Sequence, residues 1–230
     1  MTKNYALIIY VRLGSSRFPQ KATKRIGNFK LIEFIIKRLK RVSKIINADI
    51  IIATTKKHED DELIEIAKRN GILFFRGEET NLVKRTRDLL DYHKYSWFCR
   101  INGDCPLVND ELILKGLKKT HKGYELITNI KERSYPYGIA LEWVKSSTYL
   151  AYADKAREDE KEHVTQHLYR LIDQIKFYNI KNSINESHIK LTVDLPSDLV
   201  NLNLTFDRLS PAEQISLNYK YFLKNDLLTG

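Results

Sequence analysis

The stretch "VRLGSSRFPQK", residues 11–21, follows the apolar run "YALIIY" and sets Arg12, Arg17 and Lys21 around a Gly-Ser-Ser triplet. A turn needs a glycine or a proline, but no turn needs three cations. The backbone N–H groups of Gly14, Ser15 and Ser16, with Arg and Lys heads about them, make the donor-dense, cationic setting that a polyphosphate requires. The pattern is neither the GxxxxGK phosphate loop nor the GxGxxG dinucleotide fingerprint. Taken alone, it is compatible with a basic surface loop as well as with an anion site.

Two further segments offer carboxylates. In "RINGDCPLV" (100–108), Asp104 follows an apolar run, Gly103 allows a close turn and Pro106 stops the strand. An aspartate there can hold Mg²⁺ against phosphates or cap the next turn. In "KLTVDLPSDLV" (190–200), Asp194 ends a strand-like run and Pro196 opens a helix. Asp198 falls in that helix's first turn, where the dipole favours an acid whatever the function, so Asp194 is the better metal candidate. Two strand-end carboxylates and a basic Gly/Ser loop are the parts required for metal-assisted nucleotidyl or phosphoryl transfer.

These groups must be carried by a scaffold. The runs 5–11, 48–54, 72–75, 97–101 and 125–129 are short and rich in β-branched or aromatic residues, and several are apolar on both faces, as buried parallel strands are. Between them, 31–46 carries Leu31, Ile32, Ile35, Leu39, Val42 and Ile46 on one helical face. Segment 59–70 is helical with an acidic first turn and Gly71 after its end, and 80–92 and 110–121 are helical too. The β-α-β-α order predicts an α/β fold with a doubly wound, mostly parallel sheet, and a small α+β extension in the C-terminal part.

Beyond residue 130 the rhythm changes. "IALEWV" reads as a strand, antiparallel to its neighbours, and Ser146 as the N-cap of a helix. Segment 160–173 reads as a helix, 175–180 and 189–193 as strands. Ser210, Pro211 and Glu213 form a capping box for a last helix, whose Ile215, Leu217, Tyr221 and Phe222 would pack on the domain or on a second subunit. At 230 residues the chain is expected to be one domain, 1–230, with an acceptor or dimerisation subregion at about 131–190 and the terminal helix at 210–230.

With 43% hydrophobic and 30% charged residues the chain can build a sizeable core, which excludes wholesale disorder. The net charge of +10 suits an anionic partner without choosing among nucleic acid, membrane surface and a small phosphorylated ligand. The N-terminal apolar stretch is broken by Arg12 and lacks a small-residue cleavage site, so it is not read as a signal peptide, and no run is long enough for membrane insertion. Cys99 and Cys105 stand outside any CxxC or Cys/His cluster, which points to reduced thiols and a cytoplasmic protein.

The opening motif resembles the N-terminal signature of the cytidylyltransferases that activate acidic sugars, the acylneuraminate and 3-deoxy-manno-octulosonate enzymes. Their pattern is an apolar strand, then Ala-Arg-x-Gly-Ser-x-Arg-Leu-Pro-x-Lys. The sequence is closer still to the branch typified by the spore-coat polysaccharide biosynthesis protein F. That branch shares "IIATT" and "EDD" (51–61), "GILFFRGEE" (71–79), "GDCPL" (103–107), "EHVT" (162–165) and "TVDLPSDL" (192–199), in order, over residues 5–200. The resemblance implies a nucleotidyltransferase domain in which a substrate hydroxyl attacks the α-phosphate of CTP and pyrophosphate leaves. It implies that Arg12, Gly14, Ser15, Arg17 and Lys21 hold the triphosphate, that Asp104 and Asp194 hold Mg²⁺ (or Mn²⁺), and that Arg76 and Arg85 lie near the nucleotide. The acceptor would be a sugar acid for surface glycan synthesis, and the enzyme a candidate homodimer.

Several positions depart from the pattern. Val11 stands for Ala and Gln20 for a common Gly; Asn81 and Thr86 replace an acid and an aromatic; Ala140 replaces a frequent acid. They keep a nucleotidyltransferase for GTP or UTP open as the alternative. Other signals carry less. His163 and His167 are one helical turn apart but lack the glutamate placement of a zinc protease motif, and the role of Glu162 and His163 stays open between packing, the acceptor and a dimer contact. Glu59, Asp60, Asp61 and Glu62 read as dipole compensation. Trp143, Tyr135 and Tyr137 can stack on a ligand or enter the core. A nucleic-acid-binding module would gather its charge along a stripe, whereas here it is partly collected in one loop.

Overall fold

The computed structural model describes residues 3–224 of the chain. In chain order, β1 (Tyr5–Tyr10) leads to a two-stranded hairpin of β2 (Arg25–Ile26) and β3 (Phe29–Lys30). Then come α1 (Leu31–Ile46), β4 (Ala48–Thr55), α2 (Asp61–Arg69), β5 (Leu73–Gly77), α3 (Leu82–His93), β6 (Trp97–Asn102) and α4 (Asp110–Thr120). The second half holds β7 (Leu126–Thr128), β8 (Glu142–Lys145), α5 (Ser146–Ala153), α6 (Gln166–Arg170), β9 (Phe177–Asn179), α7 (Pro196–Phe206), α8 (Pro211–Ser216) and α9 (Tyr219–Lys224). Seven strands make one sheet in the order β5-β4-β1-β6-β8-β7-β9, and only β8 runs against the rest.

The sheet is buried on both faces, as its apolar strands require. Leu7 and Ile9 of β1 enter one core with Ile35 and Leu39 of α1 and Leu112 of α4. Ala6, Ile8 and Tyr10 enter the other with Leu89 of α3 and Tyr149 of α5. Each fully buried Leu or Ile contributes about 1.5–3 kcal/mol, so β1, apolar throughout its interior, is the element the sheet can least afford to lose. From β1 the chain winds outward through β4 and β5, then returns to place β6 on β1's other side. The crevice beyond the carboxyl ends of β1 and β6 is therefore a topological switch point, where open α/β sheets bind ligands.

The strands and helices of the first half follow the sequence reading closely, and β8 is the antiparallel strand it foresaw. Past residue 145 three expectations fail. Segment 160–173 is not one helix: only Gln166–Arg170 is α-helical, flanked by 3-10 turns at 158–160 and 172–174. Tertiary contacts take the carbonyls a continuous helix would use. Lys161 O accepts from Leu82 N at 2.7 Å, and Val164 O from the Tyr149 hydroxyl at 2.8 Å. Segment 189–193 makes a single bridge to Tyr137 and no ladder, because Val193 N instead bonds Asp104 O at 2.9 Å. Ser146 is not an N-cap; it is the first residue of α5, follows Lys145 at the cap, and its buried hydroxyl has no partner.

The terminal capping box is present at α8, with Ser210 Oγ accepting from Glu213 N, but the helix stops at Leu217. Residues 225–230 of the expected 210–230 helix lie outside the described residues. This segment packs on the domain. Buried Arg38 of α1 donates to Val108 O, Gln214 O, Ile215 O and Leu217 O at 2.9–3.2 Å, satisfying the carbonyls that α8 leaves open.

His167 on α6 is fully buried beside Tyr149, and neither ring nitrogen has a hydrogen-bond partner. Burial pushes its pKa down to about 4, against the pull of Glu160. Below its ordinary pKa the unfolded chain takes up a proton that the folded chain refuses, so stability falls as pH drops from about 6.5 to about 4. His167→Leu is expected to remove roughly 3 kcal/mol of this acid-side loss, read as a flatter dependence of the urea midpoint on pH across that window.

Candidate active site

The loop after β1 is held by its apolar feet and by one carboxylate. Leu13 and Phe18 are buried in the core, and Gln20 N closes the loop onto Leu13 O at 3.0 Å. Asp60, fully buried, accepts from Leu13 N at 2.8 Å, Thr54 Oγ1 at 2.9 Å and Thr55 N at 3.2 Å, and also from Thr55 Oγ1. Asp60 is thus a strut between β4 and the loop, a role that its place in an acidic run concealed. With the apolar residues turned inward, Arg12, Ser15, Ser16 and Arg17 face a cavity of about 350 Å³.

Gln20 takes the left-handed conformation at φ 56°, which explains why glycine is common there in sequences of this pattern. Val11 meets Gly103: a Cβ on that glycine would lie 2.7 Å from Val11 Cβ and 3.0 Å from Tyr10 O. The absent side chain lets Gly103 N bond Tyr10 O at 3.0 Å, drawing the end of β6 against the end of β1.

That approach brings the expected residues together. Lys21 Nζ donates to Asp104 Oδ2 at 2.9 Å and to Val193 O at 3.0 Å, and lies 3.8 Å from Asp194 Oδ1. Asp194 is braced by Thr192 Oγ1 at 2.8 Å and by Lys190 at 3.3 Å. Burial works against its charge, but these hydrogen bonds and the two lysines hold its carboxyl below the usual range. Asp198 accepts from the backbone N–H groups of Asp194 and Leu195 at 2.7 and 2.9 Å, so it shapes the turn that presents Asp194.

Among the described residues no three His, Cys, Asp or Glu side chains cluster as a protein-only metal cage. Asp104 and Asp194 supply a pair of hard oxygen donors, and one or two carboxylates are what Mg²⁺ shared with a triphosphate takes from a protein. The donor set therefore fits that ion.

The arginines divide by what occupies them. Arg17 has no ion pair among the described residues, and Arg12 is only 3.7 Å from Glu79 in a solvent-exposed contact. Such contacts are worth about 1 kcal/mol or less, so both guanidinium groups are free to engage phosphates. Arg85 lines the cavity but is 2% exposed and donates to the carbonyls of Glu78 and Glu79. Arg76 lies outside the cavity lining and binds Thr55 O, Lys57 O and Asp61. Gly14 is in the loop but not in the lining.

The departures at 81 and 86 also have local reasons. Asn81 caps α3, accepting from Lys84 N at 2.8 Å as an aspartate would. Thr86 meets the Tyr10 hydroxyl at 2.9 Å in the buried space an aromatic would fill.

Among the lining residues that sequence reasoning did not single out are Tyr10, Arg100 and Asn102, the last two on β6 in alternation ahead of Asp104. That alternation was the available signal. Glu162 and His163 also line the cavity, whereas His167 points into the core. Trp143 is core, donating to Ile113 O at 3.0 Å, while Tyr137 lines a second pocket of about 180 Å³ with Ala140, Thr192 and both aspartates. Asp104 and Arg100 belong to both cavities.

A switch-point crevice with a cationic loop on one side and two carboxylates on the other is the arrangement that nucleotidyl transfer requires. The chain belongs to the cytidylyltransferase family, whose model, described as "Cytidylyltransferase", matches residues 6–227. It is a CTP-dependent nucleotidyltransferase. It is 27% identical over 229 residues to the spore coat polysaccharide biosynthesis protein SpsF of Bacillus subtilis, covering 95% of this chain and 92% of that one. It is 28% identical over 197 residues to an uncharacterized protein of Methanocaldococcus jannaschii, covering 83% and 78%. In fold it is similar to a cytidylyltransferase from Leptospira borgpetersenii serovar Hardjo-bovis, with a TM-score of 0.89, 24% identity and coverage of 99% and 98%. It also resembles a CMP:2-keto-3-deoxy-manno-octonic acid synthetase complexed with CTP, with a TM-score of 0.68, 14% identity and coverage of 90% and 99%.

A left-handed residue other than glycine carries strain of about 1 kcal/mol or more. Gln20→Gly is expected to raise stability by about 1 kcal/mol, seen as a higher urea midpoint with an unchanged slope.

Proposed function

We propose that the enzyme transfers CMP from CTP to a hydroxyl of a sugar acid or related acceptor, releasing pyrophosphate, for synthesis of a surface polysaccharide. The observation that carries this reading is Lys21 Nζ set between Asp104 and Asp194 where two cavities meet. The larger cavity, with Arg12, Ser15, Arg17 and Lys21, suits a triphosphate; the smaller suits the acceptor. Asp104, common to both, lies where the reacting phosphorus and the attacking hydroxyl must come together. The kinship with SpsF supports the polysaccharide context.

In this mechanism the protein positions and neutralises. The acceptor hydroxyl oxygen bonds to the α-phosphorus as the bond from that phosphorus to the oxygen bridging the α- and β-phosphates breaks; the hydroxyl proton passes to solvent and the electron pair leaves with pyrophosphate. Lys21 and the loop arginines offset charge on the departing pyrophosphate. Asp104 and Asp194 would hold Mg²⁺, or Mn²⁺, which supplies positive charge to the triphosphate oxygens when bound. Arg85 and Arg76 act by fixing the turns at 78–79 and 55–61. We assign the region of about 131–190 to acceptor recognition and self-association as a homodimer. Among the described residues no helix is long and apolar enough to cross a membrane. Both cysteines are free and buried, which supports a cytoplasmic site of action.

Lys21→Met is expected to lower kcat/KM for CTP by about 100-fold or more, with the fold retained by circular dichroism. A pyrophosphate-release assay with CTP, Mg²⁺ and a panel of sugar acids reads this. Calorimetry with CTP, UTP and GTP should rank CTP first, and failure of CTP to bind would sink the proposal.

A further inference from the structure

The edge of the sheet opposite the crevice carries charge that the fold does not use. Strands β1, β4, β6, β7 and β9 begin at this edge, β8 ends there, and α1, α3 and α4 run down to it. Backbone bonds lace the segments together: Trp97 N donates to Asn4 O at 3.1 Å, Lys145 N to Glu125 O at 2.9 Å and Glu125 N to Lys176 O at 2.6 Å. Lys44, Lys118, Lys122 and Lys145 are exposed here and make no ion pair among the described residues. Lys119 and Lys176 rest over the rings of Tyr178 and Tyr124, 4.3 and 5.7 Å from the centroids. The carboxylates among these segments are taken. Asp49 pairs with Lys3 at 2.9 Å and accepts from the Tyr95 hydroxyl at 2.7 Å, Asp91 lies 3.8 Å from Lys94, and Glu125 accepts from Thr148 Oγ1 at 2.8 Å and Lys176 N at 3.0 Å.

Helix dipoles account for part of this charge. Lys44 and Lys118 lie in the last turns of α1 and α4, where a cation is favoured whatever the function. Lys122 lies beyond α4. Lys145 is the N-cap of α5, the end at which the dipole disfavours a cation, and the first turn has no acid to offset it. The same edge holds the two most exposed large apolar side chains among the described residues. Tyr92, 76% exposed, is in the last turn of α3, and Ile45, 69% exposed, is in the last turn of α1.

Unpaired lysines with an aliphatic and a tyrosine side chain standing out among them match an anionic bilayer. The ammonium groups meet lipid phosphates, while Ile45 and Tyr92 enter the boundary between headgroups and acyl chains. A phosphodiester backbone would satisfy the lysines but offers Ile45 nothing. We propose that this edge is a docking surface for anionic phospholipid, held by charge and shallow apolar contact without insertion of a helix. The crevice lies at the other end of the six-residue β1, about 20 Å away, so the docked enzyme keeps its crevice open to water. The inference therefore stands apart from the choice of nucleotide and acceptor.

The test is sedimentation of the full chain with vesicles of phosphatidylcholine alone or of equal parts phosphatidylcholine and phosphatidylglycerol. The mixed vesicles are expected to bind at least about tenfold more tightly. Raising the salt from about 0.1 to about 1 M, which cuts the Debye length from about 10 to about 3 Å, is expected to release the protein. Lys44→Gln, Lys118→Gln and Lys122→Gln together are expected to weaken binding by about 100-fold, with kcat/KM for CTP unchanged to within about twofold. A control of equal net charge, with Lys24→Gln, Lys56→Gln and Lys84→Gln at the crevice edge, is expected to bind vesicles as the wild type does. Lys145→Gln is expected to weaken binding by about fivefold without lowering the urea midpoint, and Ile45→Ser by about tenfold with the salt dependence unchanged. Equal binding to both vesicles overturns the proposal, as do equal losses in the two triple variants, which would make the attraction a matter of net charge. Tighter binding of a short RNA duplex than of the mixed vesicles, lost in the first triple variant, assigns the edge to nucleic acid and overturns the lipid reading. If that variant fails to fold, the comparison of the two vesicles with the wild type and with Lys145→Gln still decides.

Discussion

The site depends on one ammonium group. Lys21 Nζ holds the Asp104 carboxylate, the Val193 carbonyl and the neighbourhood of Asp194. These come from the loop after β1, the end of β6 and the turn before α7. Like charges cannot be brought together in a half-buried crevice without a cation between them. Lys21 is that cation within the protein, and its place is available only because Gly103 lets β6 end against β1. The same arrangement suits a reaction that gathers negative charge: the group that pairs the two carboxylates is the group a triphosphate would engage.

Around this contact the chain uses carboxylates as fasteners. Asp60 ties the cationic loop to β4, Asp198 shapes the turn bearing Asp194, and Glu142 anchors Arg100. Each is paired with donors, which is how a buried carboxylate avoids the cost of desolvation. The exposed cations of the loop, by contrast, have weak partners or none. The protein spends its strong pairs on geometry and leaves Arg12 and Arg17 open.

The parallel sheet and its first-half helices were legible because their apolar periodicity is strong and local. The cationic loop, Asp104 and Asp194 were legible as residue types at strand ends, though only the folded chain shows that Lys21 joins them. Arg100 was missed because its only local signal is the alternation with Asn102 and Asp104, and its partner Glu142 is far along the chain. Asp60 was hidden by its acidic neighbours. The failures at 160–173 and 189–193 share a cause: at Lys161, Val164 and Val193, long-range hydrogen bonds replace the regular local ones that periodicity presumes.

Arg38 reaches carbonyls 176 to 179 residues away, and Lys21 reaches Val193 across 172. During synthesis, therefore, the first half of the chain can assemble β1, α1, β4 and β6 while Arg38 has only Val108 O and Lys21 has only Asp104. The crevice closes when α7 and α8 have left the ribosome. A chain that stops short of Val193 and α7 would have a nearly complete sheet but no carbonyl of Val193 for Lys21 and none of α8 for Arg38, so the crevice between β1 and β6 is completed together with the sealing of the core.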